Sequence, residues 1–79
     1  MRLDKYLKVS RIIKRRTIAN EACDAGKVEV NNKIARASYD VKIGDVIKIT
    51  FGEKVSSYKV LQVYEHALKE DASKMYEQL

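Results

Sequence analysis

The chain opens with a helical alternation of apolar and basic positions. Leu3 and Leu7 fall four apart with Tyr6 beside them, which predicts a short helix whose apolar stripe faces inward while Arg2, Lys5 and Lys8 turn away. Val9 and Ser10 interrupt the stripe, and Ser10 is placed to cap a further turn carrying Ile12 and Ile13. A second helix is expected from about Thr17 through Ile18, Ala22 and Ala25, with Ala19 and Cys23 flanking its stripe. Gly26 closes it, because glycine enters positive φ without a Cβ clash.

Beyond Gly26 the period changes to two. Val28 and Val30 alternate with Lys27 and Glu29, Asn31 and Asn32 supply residues that tolerate a left-handed turn, and Ile34 starts a return strand. Ala35 to Asp40 reads as a looser connection. Val46 to Phe51 predicts a strand with Ile47, Ile49 and Phe51 on one face and Lys48 and Thr50 on the other. Gly52 and Glu53 turn the chain into a second β run over about Val55 to Tyr64, whose mixed alternation does not fix its register.

The spacing changes once more at the end. Ala72, Met75, Tyr76 and Leu79 fall at i, i+3, i+4 and i+7 behind Asp71 as an N-cap, which predicts a short terminal helix. The expected organisation is therefore one domain over residues 1–64 and a helical extension over 65–79. The fold class is α+β: two to three short N-terminal helices packed on a small antiparallel sheet, with a short C-terminal helix.

Composition narrows the function classes. At 79 residues the chain can bury one modest core and has no room for a separate catalytic lobe. A single cysteine cannot form an internal disulfide, and no apolar run approaches the roughly 20 residues that span a bilayer. The first 16 residues also lack the uncharged stretch of a signal peptide. A soluble protein of a reducing cytoplasm is the expectation.

Charge changes the picture more, because the net +5 is unevenly spread. Arg2, Lys5, Lys8, Arg11, Lys14, Arg15 and Arg16 face only Asp4 in the first 20 positions, while the tail from residue 65 is net acidic. Such concentration fits a face for a polyanion, either nucleic acid or an anionic membrane, and it also fits a solvated basic helix. A membrane role is disfavoured, since the apolar face is short and the β-rich remainder needs it as core. Four of the five arginines precede residue 17, and a guanidinium can grip a phosphate through two hydrogen bonds. Tyr6 is the one aromatic among them, which favours recognition of RNA shape and backbone over a base sequence.

Catalytic chemistry finds little support. His66 is the lone histidine and follows the last strand without a spaced Ser, Cys or carboxylate partner. Cys23, beside Ala19 and Ala22, reads as a small buried thiol. One Cys and one His cannot close a zinc site, and Gly26, Gly44 and Gly52 stand too far apart for a phosphate loop. Glu70 and Asp71 read as helix-start residues. The expectation is no enzyme, no metal and no cofactor.

Three phrases in order carry a family resemblance: Arg2-Leu3-Asp4-Lys5-Tyr6-Leu7, then Lys14-Arg15-Arg16-Thr17-Ile18-Ala19, then Gly26-Lys27-Val28-Glu29-Val30-Asn31. Their combination over residues 2–33, extended to about residue 50 by Lys42 to Ile47, resembles the S4 (alpha-L) RNA-binding domain, first named from the fourth protein of the small ribosomal subunit. The short length, the bare start and the tail from Asp71 to Glu77 are most similar to the stand-alone heat-shock S4 proteins that bind obstructed large ribosomal subunits, and to their Gram-positive relatives of the RqcP type. Two positions depart from the pattern: Arg15 stands where many S4 domains place serine, and Asn32 where glycine usually completes the hairpin turn.

The resemblance implies binding to large-subunit ribosomal RNA and to the peptidyl-tRNA of a blocked subunit, while a partner protein extends the stalled chain with a tail. It implies Arg2 and Arg16 as the leading RNA contacts, supported by Lys5, Arg11, Lys14 and Arg15. Asp4 would orient these cations or cap the first turn, because it would repel a phosphate. The protein is expected to act as a monomer without a membrane. Two other readings stay open: a large-subunit assembly factor, and an adaptor that docks protein through the Ala72-Met75-Tyr76-Leu79 stripe.

Overall fold

In the computed structural model, which describes all 79 residues, two helices pack against one face of a five-stranded antiparallel sheet. The helices are α1 (Leu3–Val9) and α2 (Arg16–Asp24). Strands β1 (Val28–Val30), β2 (Lys33–Ile34), β3 (Val46–Phe51) and β4 (Lys54–Val60) follow, then a single turn α3 (Lys69–Ala72) and a last strand β5 (Tyr76–Gln78). The sheet order is β2-β1-β3-β4-β5.

The two N-terminal helices and the first hairpin form where their local signals are clear. Leu3, Tyr6 and Leu7 of α1 are wholly buried. On α2 the buried side chains are Ala19, Ala22 and Cys23, while Ile18 is 42% exposed. The inward stripe is therefore centred on the small residues, which let α1 and α2 approach closely. Gly26, at φ +74°, ends α2 with a double closure: its amide donates to the Cys23 carbonyl and the Lys27 amide to the Ala22 carbonyl, both at 3.0 Å. Asn31 and Asn32 both take positive φ, at 52° and 69°, as a tight hairpin turn matched to the strand twist requires.

The core is one cluster in which α1 and α2 meet Val28, Val30, Ile47, Ile49, Val60 and Met75. Ile47 and Ile49 are buried as their alternation predicts, but Phe51 lies at the hairpin end and is exposed. β4 stops at Val60 instead of Tyr64, because the Leu61 and Gln62 amides turn to the Met75 carbonyl at 2.8 and 3.1 Å.

Two further expectations are corrected. Ser10 caps the C-terminal end of α1 and donates to the Leu7 carbonyl at 3.3 Å; it starts no further turn, and α2 begins at Arg16. The tail is helical only over Lys69–Ala72, and Tyr76–Gln78 pairs with Tyr58–Val60 as an edge strand. Met75, between them, is fully buried. The Ala72-Met75 part of the stripe thus serves this chain's own core and is not a docking face.

Candidate nucleic-acid interface

Asp4 is the buried centre of the basic end. Its Oδ1 accepts from Arg2 Nε at 3.1 Å and from the Lys5 amide at 2.8 Å; its Oδ2 accepts from Arg2 Nη2 at 3.3 Å and Asn20 Nδ2 at 3.1 Å. Arg16 Nε lies 3.5 Å from the same Oδ2. Burial alone would push this carboxyl up, but the donors Asn20, Arg2, the Lys5 amide and Arg16 outweigh it and hold it below the usual carboxylate range. The Asp4 side chain is 3% exposed while those of Arg2 and Arg16 are 51% and 48% exposed. One carboxylate therefore orients two guanidiniums whose outer edges still face solvent.

The backbone fixes this arrangement from both sides. The α1 N-terminal amides of Leu3 and Asp4 donate to the carbonyls of Tyr39 and Ala37, at 2.8 and 3.2 Å, and Arg2 bridges Asp40. The connection before β3 thus closes the start of α1 and sets where Arg2 leaves the chain. That connection is itself tied by Asp45, which accepts from the Tyr39 hydroxyl, Asn31 Nδ2 and the Lys42 amide, each at 3.0 Å.

The six cations expected to contact RNA divide into groups. Arg2 and Arg16 meet at Asp4. Lys5 turns instead to the Glu65 carboxylate of the tail. Arg11 and Lys14 line a separate cleft with Lys8, and Arg15 is exposed at the start of α2. Asn20 joins the Asp4 group without having been singled out from the sequence; its position four after Arg16 on α2 is the signal that places both on one face.

The remaining reactive groups are quiet. Cys23 is buried, and burial, aided by the charges of Asp4 and Asp24, pushes its thiol up to about 11. It is therefore protonated and unreactive near neutral pH. No helix is long and apolar enough to cross a membrane.

Two short helices that carry oriented cations on a small antiparallel sheet define a module of the S4 kind, and the S4 domain model matches residues 1–47. A relative from Streptococcus pneumoniae, the "RQC P-site tRNA stabilizing factor", is 54% identical over 77 residues, covering 98% of this chain and 88% of its own. The factor of the same name from Halalkalibacterium halodurans is 51% identical with the same coverage. Among solved structures, the trimeric heat shock protein 15 of Vibrio cholerae superposes with a TM-score of 0.90 at 28% identity, covering all of this chain and 81% of that one. The chain belongs to the S4 domain family and, within it, to the family of the RQC P-site tRNA stabilizing factors.

Proposed function

We propose that this protein is an RNA-binding factor of ribosome-associated quality control that stabilises tRNA on obstructed large subunits. The observation that carries this reading is the convergence of Arg2 and Arg16 on Asp4, within a family whose named members stabilise P-site tRNA. Ribosomal RNA of the large subunit and the peptidyl-tRNA are its ligands, and Lys5, Arg11, Lys14 and Arg15 add further contacts. It works without catalysis, in the cytoplasm and as a monomer, holding the tRNA while a partner protein tails the nascent chain. Non-enzymatic action is supported by a buried, protonated Cys23 and by a site made of cations and one structural carboxylate.

Association with purified large subunits at several salt concentrations tests the reading. Arg2→Ala with Arg16→Ala is expected to weaken binding and to flatten its salt dependence, because fewer counterions are then released. Unchanged binding would show that the face is wrongly assigned. Preferential sedimentation with immature particles lacking tRNA would instead identify an assembly factor.

A further inference from the structure

Lys8, Arg11 and Lys14, which Asp4 does not hold, are gathered elsewhere. A cleft of about 700 Å³ opens between the α1–α2 connection and the tail, with Lys8, Arg11 and Lys14 on one side and Glu65, His66 and Lys69 on the other. The turn after α1 builds the first wall: Arg11 takes φ 65°, and its amide donates to the Lys8 carbonyl at 3.0 Å. The second wall is anchored by Tyr6, whose hydroxyl donates to the Met75 carbonyl, and by the Lys5–Glu65 pair.

The charge in this cleft is free. None of Lys8, Arg11, Lys14 or Lys69 forms a salt bridge, in contrast to Arg2 and Arg16. The single carboxylate on the wall, Glu65, is already engaged by Lys5. No Phe, Tyr or Trp lines the cleft, so it offers charge without a platform on which bases could stack. Its concave shape admits a run of phosphates, whereas a bilayer surface could not enter it. A concave wall on which one sign predominates also focuses the field.

The geometry points to a second RNA site: this cleft grips a phosphodiester backbone independently of base sequence, with Lys69 and His66 of the tail completing what the N-terminal helices begin. The inference rests on the RNA-binding reading above and adds the tail to the RNA contact.

Titration of the full-length chain with a fluorescently labelled RNA hairpin at several salt concentrations tests it. Lys14→Ala with Lys69→Ala takes one cation from each wall, and Lys54→Ala with Lys59→Ala removes the same charge from β4. All four lysines are exposed, so each variant is expected to fold, which matching thermal melts verify. The cleft pair should weaken binding about tenfold at low salt and reduce the salt slope by about two contacts, while the β4 pair leaves both near the parent values. Equal losses from the two pairs, an unchanged slope in the cleft pair, or stronger binding to phosphatidylserine vesicles than to RNA would overturn the proposal. Arg2→Ala with Arg16→Ala in the same titration keeps the two readings apart. Loss there with an intact cleft pair removes the cleft alone, and a parent chain that binds no RNA removes both.

Discussion

The Tyr6 hydroxyl donates to the backbone carbonyl of Met75 at 2.7 Å, across 69 positions of sequence and inside the core. This bond ties the first helix to the tail, where Met75 is fully buried and β5 completes the sheet edge. Tyr6→Phe keeps the ring and removes the bond, so it should cost about 1 kcal/mol in denaturant unfolding; the Leu61 amide still satisfies the carbonyl. Truncation after Tyr64 removes Met75 and β5 altogether. It should abolish cooperative unfolding, as circular dichroism melts would show.

Asp4 separates charge from geometry. Asp4→Ala makes the chain more positive by one charge, which by electrostatics alone would tighten RNA binding. It also removes the acceptor that holds Arg2, Arg16 and Asn20. The expected result is weaker RNA binding, by severalfold in an anisotropy titration, together with a stability loss of about 1–3 kcal/mol from the lost hydrogen bonds of the buried carboxylate. Tighter binding would show that the arginines need no fixed orientation.

The parts of this fold that were legible in the sequence are those decided locally. Leu3, Tyr6 and Leu7 announce α1, Gly26 its neighbour's end, and Asn31-Asn32 the hairpin, because period and turn chemistry act within a few residues. The tail departs from its local pattern for the opposite reason. Its i, i+3, i+4 spacing is genuine, but the free edge of β4 and the carbonyl-seeking amides of Leu61 and Gln62 lie outside any local window. Non-local pairing then overrides the helical period. The basic candidates were legible as a cluster, while their division between Asp4, Glu65 and an open cleft depends on where the carboxylates fold.

Asp45 sets the acid limit of the fold. Its burial would push the carboxyl up, but the Lys42 amide, Asn31 and Tyr39 donate to it and hold it below its usual value of 3.8. A depressed folded value means that the stabilisation is present above the unfolded value and is lost as pH falls through the folded one. Asp4 behaves in the same way. Stability should therefore drop below about pH 4, and Asp45→Asn should reduce that drop while lowering stability near neutrality. Urea midpoints measured across the acid range test both.

Cys23 gives the alkaline counterpart. Burial, with help from Asp4 and Asp24, raises its thiol from 9.0 to about 11. A raised folded value leaves its contribution intact below pH 9 and removes it as pH climbs toward 11, since the unfolded chain loses the proton first. The loss is on the order of 2 kcal/mol and should be absent from Cys23→Ala, which assigns it to the thiol. The same burial predicts slow alkylation by iodoacetamide at pH 8 in the native protein and rapid alkylation in denaturant. Fast native alkylation would place the thiol at the surface, contrary to its 3% exposure between α2 and the core.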